Sequence, residues 1–354
     1  MQMRRTCPPT ALLLAVLVTI AQLSGCSDAK RPQSASASSP AGGSSAAGAT
    51  TIVGPPVLPL TGLPVGDAPL GRPALSVKID NVVGALPQSG LNNADIVYEE
   101  LVEGGQTRLF ATFHSQDAGL VGPIRSARPV DADLLNQLGG GIFAYSGAAE
   151  AEIAPVEEHS GATLLSYDAG VSAFRRDSRL HTAPHNVYSS TPELYEAGAA
   201  AGDQSTTPPQ QFQYGADVGN GRPVQDVSMT MGLRSANAWH WNAASAQYER
   251  AQNGEADVLD DGAPISATNV VIMSVQIQGT GIFDTIGEED PLVVVIGEGP
   301  CWLLRDGQLV EGRWSRPATT SPTTFHDAQG HDLLLHPGRT WVELLPAPEQ
   351  PTFG

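Results

Sequence analysis

The chain has 354 residues, with 37 acidic side chains against 19 basic ones and a formal charge of −18. That balance excludes nucleic-acid binding through a general electrostatic field and opposes close approach to anionic lipid headgroups. The length allows two ordinary domains, and Lys30 and Lys78 are the only lysines.

Arg4 and Arg5 open the chain, an apolar run follows from Ala11 to Leu23, and Leu23-Ser-Gly-Cys26 closes it as a lipobox. The run is short for a bilayer span and small residues precede the cysteine. Residues 1–25 therefore read as a lipoprotein signal peptide rather than an anchor helix. Cleavage would leave Cys26 to be acylated by palmitate and related chains. One chain anchors only marginally at ~0.8 kcal/mol per buried CH₂, whereas the two or three chains of a lipoprotein hold durably. An ordinary cleaved signal with a chance cysteine is the alternative. Residues 26–58 are mostly Ser, Ala, Gly and Pro, the composition of a disordered tether with a reach on the order of 30 Å. Cys7 leaves with the signal and Cys26 takes lipid, so no intramolecular disulfide is expected. Cys301, in Gly-Pro-Cys-Trp-Leu-Leu, reads as a small buried hydrophobe.

Pro73–Asp80 alternates as a strand, and Ile96–Glu103 and Thr107–His114 flank a Gly104-Gly105 turn. Pro129–Leu138 reads as a short helix closed by Gly139, Gly141–Tyr145 as a strand and Ala148–His159 as a helix. Thr191-Pro-Glu193 starts another helix, with Thr191 as its cap. Strands alternating with helices predict a mixed α/β domain over 59–205. Gly202–Gln211, with Pro208-Pro209, marks a boundary. Beyond it Trp239 and Trp241 alternate, Val270–Val275 and Leu292–Ile296 are apolar runs, and Asp306-Gly307 turns between two strands. Thr340–Leu345 then closes a smaller β-rich domain over 212–348. The expected class is α+β, or mixed α/β followed by β.

Gly122-Pro-Ile-Arg-Ser-Ala-Arg-Pro129 sets Arg125 and Arg128 three residues apart, with Ser126, on a loop that feeds a helix N-terminus. Guanidinium forks, free backbone N–H groups and the helix dipole together suit a phosphate or carboxylate. The same arginines could instead pair internally with Glu99, Glu103 or Asp131. Phe174-Arg-Arg-Asp177 and Thr182-Ala-Pro-His-Asn186 offer His185 as an acid or base oriented by Asp177, with Asn186 as a polar donor. A histidine that only bonds loop backbone is the plainer reading. Pro184 between His181 and His185 rules out the helical zinc pattern, so no metal is expected, and no phosphate-loop or dinucleotide fingerprint implies a cofactor. On a strand, Asp95, Glu99 and Glu103 would share one face and Glu100 the other. That series is a candidate acid/base pair or a set of partners for Arg108, Arg125 and Arg128.

The motifs also follow one another in a recognisable order. Gly71-Arg-Pro-Ala74, Val77-Lys-Ile-Asp-Asn81, Pro87-Gln-Ser-Gly-Leu91, Ala94-Asp-Ile-Val-Tyr-Glu99, Val102-Glu-Gly-Gly105, Gly122–Pro129 and Ala183-Pro-His-Asn186 come first. Asn269-Val-Val-Ile272, Leu303-Leu-Arg-Asp-Gly307, Glu311-Gly-Arg-Trp314 and Pro337-Gly-Arg-Thr-Trp-Val342 come after. From Thr61 to Pro346 the chain resembles the YerB-like lipoproteins of bacteria, departing at Ala173–Asp177, where a tryptophan before Arg-Asp would be usual. The resemblance implies a lipoprotein in two parts, each a domain of unknown function, and brings no established catalytic residue with it. It places Arg125, Arg128, Asp177, His185 and Asn186 inside the family's motifs.

The leading reading is a membrane-tethered extracytoplasmic protein on the outer face of the bacterial cytoplasmic membrane. It would hold an anionic envelope ligand, whether a peptidoglycan fragment, a wall polymer or a lipid-linked precursor. The binding residues would be Arg125, Ser126 and Arg128, with Arg108, Arg176 and Asn186. One rival is an envelope hydrolase or transferase with His185 and a carboxylate, Asp177 or Glu103, as acid and base. Another is a scaffold that contacts a protein partner through the β-rich domain.

Overall fold

Alternating apolar residues before position 201 form β1 (Leu75–Asp80), β2 (Ile96–Val102), β3 (Gln106–Phe113), β4 (Ile142–Tyr145) and β5 (Thr163–Ser166). Two short strands, β6 (Arg175–Arg176) and β7 (Val187–Tyr188), pair with each other. The helices are α1 (Val130–Gln137), α2 (Glu150–His159) and α3 (Thr191–Ala200). The later residues form β8 (Arg222–Pro223), β9 (Asp226–Gly232), β10 (Ser235–Asn242), β11 (Gln247–Gln252), β12 (Glu255–Ala256), β13 (Ser266–Ala267) and β14 (Asn269–Phe283). They continue as β15 (Glu289–Val294), β16 (Gly297–Arg305), β17 (Gln308–Arg316), β18 (Thr324–His326), β19 (Thr340–Pro346) and β20 (Thr352–Phe353). The computed structural model describes residues 56–69, 71–216, 221–283 and 287–354, all within one unit, Gly54–Gly354. The expected signal peptide over 1–25, Cys26 and nearly all of the expected tether lie outside the described residues.

One sheet of twelve strands runs through both halves of the sequence. Its order is β18-β17-β16-β14-β19-β2-β3-β1-β4-β5, with β15 on β14 and β8 on β17. The late strand β19 makes the join, lying parallel to β2 on one side and to β14 on the other. The composition break at 202–211 therefore does not interrupt this sheet. Every α-helix among the described residues precedes that break, so the molecule is α+β with strand predominating.

A second sheet, β12-β11-β10-β9-β20 with β13 on β11, covers one face of the first. Its inward residues Val227, Met229, Trp239 and Tyr248 share a buried cluster with Val77, Ile79, Val97 and Leu109. The other face carries Tyr98, Phe110 and Phe143 against Leu134 and Leu135 of α1 and Val156 of α2. β1 alternates apolar and polar residues although both of its faces are buried, so its polar side chains need partners inside the protein. Lys78 at its centre is fully buried and ion-paired to Glu100 of β2 and, at 2.7 Å, to Asp131 of α1.

The Asp306-Gly307 turn forms as expected. Both residues have positive φ, 53° and 71°, the geometry a two-residue hairpin demands. The cap of α3 differs from expectation. Ser190 precedes the helix and its Oγ accepts from Glu193 N at 3.4 Å. Thr191 Oγ1 is drawn away by Ala118 N, which donates to it at 2.9 Å.

Candidate functional site

β1, β4 and β5 run parallel, and their carboxyl ends deliver Asp80, Ser146 and Tyr167 to one edge of the sheet. The crevice beyond such ends is where open α/β sheets commonly hold ligands. The Gly122–Pro129 loop crosses it. Arg125 N donates to Lys78 O at 2.9 Å, Ser146 N to Arg125 O at 2.9 Å, and Ala127 N to Gly147 O at 3.1 Å. Gly122 lets the loop lie against β7. Its φ is +147°, and a Cβ there would stand 2.7 Å from Tyr188 Cδ1 and 2.8 Å from Val187 O. Ile124 N donates to Val187 O at 2.7 Å, which draws the segment carrying His185 and Asn186 onto the same edge.

The centre of the arrangement is Asp80, the last residue of β1 and almost fully buried. Its Oδ2 lies 2.7 Å from His185 Nδ1 and 3.3 Å from Arg125 Nε. Burial alone would raise this carboxyl. The His185 hydrogen bond and the charges of Arg108 and Arg125 overcome it and hold the group below the usual carboxylate range. His185 is 24% exposed and Arg125 28%. Among the described residues the far ring nitrogen of His185 and the terminal NH₂ groups of Arg125 have no protein partner, and neither does Ser126 Oγ. Gly84 lies beside the imidazole, where a Cβ would come within 3.6 Å of Nε2 in ordinary contact.

Sequence reasoning gave His185 either Asp177 or Glu103 as partner, and the structure assigns it to Asp80 instead. Asp177 is committed to Arg179, whose hydrogen bonds hold its carboxyl down at about 2. Glu103 accepts from Arg108 Nη2 at 3.0 Å and from Arg128 Nε at 3.0 Å and Nη2. Burial opposes ionisation of Glu103, yet the Arg108 charge and the Arg128 hydrogen bond hold it at about 2. A carboxylate clamped so low cannot serve as a general acid near neutral pH.

Arg128 and Arg108 also leave the ligand set. Arg128 is 4% exposed and reaches Glu103, Glu152 at 3.3 Å and Asp290 at 3.1 Å. Arg108 is nearly as buried, and burial together with the Arg128 charge lowers its guanidinium to about 10. The helix start beside them is occupied rather than open, because Asp131 Oδ2 accepts Arg128 N at 2.7 Å. Glu99 and Glu103 do not share a face in the expected way, since β2 ends at Val102 and Glu103 begins a 3₁₀ turn. Glu99 instead meets Arg250 at 2.7 Å beneath the second sheet.

Arg176 and Asn186 meet each other. Arg176 Nη1 donates to Asn186 Oδ1 at 2.5 Å and its Nε to Tyr167 Oη at 3.0 Å, with the guanidinium 4.9 Å over the Tyr167 ring. Asn186 is buried and so orients Arg176 rather than facing a ligand itself. Sequence reasoning missed Asp80. Its position closing a buried strand in Val77-Lys-Ile-Asp-Asn81 was the available signal. Cys301 is buried, and burial pushes its thiol up to about 12, which fits a packing role.

The chain matches two consecutive family models. Residues 60–205 match "Protein of unknown function (DUF3048) N-terminal domain" and 227–342 match "Protein of unknown function (DUF3048) C-terminal domain". A protein of Bacillus subtilis (strain 168) described as "Putative lipoprotein YerB" is 28% identical over 294 residues, covering 81% of this chain and 86% of the relative. The crystal structure of the YerB protein from Bacillus subtilis superposes with a TM-score of 0.69 at 26% identity, covering 84% of this chain and 99% of that one. With both domain models matched in order, the chain belongs to the DUF3048 family, of which YerB is a relative.

Proposed function

We propose that this is a lipid-anchored extracytoplasmic binding protein, tethered through Cys26 at the outer face of the bacterial cytoplasmic membrane. Its first half holds an anionic envelope ligand between Arg125 and His185. The observation that carries this is Asp80, because a single buried carboxylate oxygen holds the near ends of both side chains and leaves the Arg125 NH₂ groups and the far ring nitrogen of His185 open. The lipobox and the lipoprotein relative support the anchor. No helix among the described residues is long and apolar enough to cross a membrane.

The test uses the signal-less, lipid-free chain and its Arg125→Ala variant with muropeptides, wall-polymer fragments and polyprenyl phosphates. A ligand at about 100 times its Kd adds about 2.7 kcal/mol to the native state, so the thermal midpoint of the parent rises and that of the variant stays. No shift with any ligand would overturn the reading. The Asp80–His185 hydrogen bond favours a second reading, a hydrolase or transferase in which His185 is the base and Asp80 orients it. A product released from cell-wall material by the parent but not by His185→Ala would support it.

A further inference from the structure

Two histidines sit on the segment between β6 and β7, and their hydrogen bonds give them opposite tautomers. His181 Nε2 lies 3.0 Å from Leu86 O, which can only accept, so in the neutral ring that nitrogen carries the proton. His181 Nδ1 then accepts from Tyr188 Oη at 2.7 Å, and both ring nitrogens are used inside the protein. His185 is reversed. Its Nδ1 lies 2.7 Å from Asp80 Oδ2. Arg125 Nε, 3.3 Å from the same oxygen, and Val82 N, which donates to Oδ1 at 3.4 Å, bring further N–H groups to that carboxylate. Asp80 is thus an acceptor on both oxygens beside a guanidinium that favours its ionised form, and His185 Nδ1 is the donor. In the neutral imidazole the other nitrogen, Nε2, then holds a lone pair and no proton. It has no protein partner among the described residues.

The tautomer restricts what the open site can hold. An ionised oxygen set against the Nε2 lone pair is repelled, whereas an N–H or O–H group donates to it. The Arg125 NH₂ groups are donors only and suit an anion. Asp80 Oδ2 therefore holds together one acceptor and one cationic fork. A fully ionised phosphate monoester has acceptors alone and leaves Nε2 unmet. A carboxylate whose α-carbon bears an N–H or O–H supplies both an anion and a donor on adjacent carbons. We infer that the ligand is an α-amido or α-hydroxy carboxylate, the chemistry of a peptide C-terminus or of a 2-hydroxy acid. Its carboxylate lies at the Arg125 fork and its N–H or O–H donates to His185 Nε2, so His185 sets the specificity. This rests on the anion site proposed above and selects among its ligands.

The experiment measures Kd by isothermal titration on the signal-less, lipid-free chain at about pH 8, where an ordinary imidazole is neutral. The ligands are N-acetylalanine, its N-methyl analogue, lactate, propionate and inorganic phosphate, the chiral ones as both enantiomers. The parent chain is expected to bind N-acetylalanine about fivefold more tightly than the N-methyl analogue or propionate, the effect of one hydrogen bond. That comparison needs no variant to fold. An advantage over propionate for N-acetylalanine alone assigns the site to peptide termini, and one for lactate alone assigns it to 2-hydroxy acids. In His185→Asn the amide can still donate to Asp80 but places nothing at Nε2, so N-acetylalanine and its N-methyl analogue should bind equally. Arg125→Ala weakens every carboxylate. Equal affinity of the parent for all the carboxylates would overturn the inference while sparing the anion site. Inorganic phosphate binding more tightly than any carboxylate would do the same. A preference for N-acetylalanine that survives in His185→Asn would put the acceptor elsewhere and overturn it too. No binding of any ligand would overturn both readings.

Discussion

Arg125 and Arg128 sit three residues apart in one motif and meet opposite surroundings. Arg128 is enclosed by Glu103, Glu152 and Asp290, so its charge is spent on holding together elements from both halves of the sequence. Arg125 gives only its Nε to Asp80 and keeps its outer fork open. The difference comes from the loop. Residue 125 crosses the strand ends at the surface, whereas residue 128 turns under the start of α1 against β15. Identical side chains in one motif therefore divide between a buried set of ion pairs and a partly exposed, open fork, and neither charge nor spacing distinguishes them.

The largest expected effects test the structural side of that contrast. Arg128→Ala would leave three carboxylates facing one another, and Arg250→Ala would strand Glu99 and Asp257 between the two sheets. Each is expected to cost about 3–5 kcal/mol by urea denaturation, the range for breaking a buried ion pair. Arg125→Ala, at a partly exposed site, should cost less than about 1 kcal/mol. Equal losses at 125 and 128 would break the comparison.

The acid limb sharpens it. Glu103 titrates at about 2 when folded and near its ordinary 4.5 when unfolded. Its contribution, on the order of 3 kcal/mol, is present above pH 4.5 and lost as pH falls toward 2. Glu103→Gln should be less stable at neutral pH and show a flatter acid limb in urea midpoints.

Glu343 behaves in the opposite sense. It accepts from Asn237 Nδ2 at 3.0 Å and Trp239 Nε1 at 2.8 Å. Burial first, and then the Glu99 charge, raise it to about 8. The folded state then holds a proton that the unfolded state releases near its ordinary pKa. The associated stability is complete at low pH and declines as pH rises toward 8, by up to about 1.4 kcal/mol per pH unit. Glu343→Gln should remove that slope between pH 6 and 8. The smallest effect belongs to the α3 cap. Ser190→Ala should cost about 0.5–1 kcal/mol, the low end for a cap, because its hydrogen bond to Glu193 N is long.

Much of the local structure was legible in the residues. The strand at Leu75–Asp80, the helix at Val130–Gln137 and the Asp306-Gly307 turn follow from alternation, helix breakers and backbone chemistry, which act within a few residues. The insertion of β19 between β2 and β14 was not legible, since nothing local to Thr340–Pro346 names a partner more than two hundred residues earlier. The same limit hid Asp80. Its neighbours Lys78 and Ile79 announce a strand, but His185 reaches it only because β7 bonds to the Gly122–Pro129 loop.

By itself the sequence determined the Leu-Ser-Gly-Cys26 pattern, the membership of Arg125 and His185 in ordered motifs, and much of the run of elements, because each depends on short-range pattern. The tertiary structure alone decided which arginine is free, which carboxylate orients His185, and that one sheet crosses both halves. Charge pairing and burial are set by distance in space, and distance in space is fixed only when the strands have chosen their neighbours.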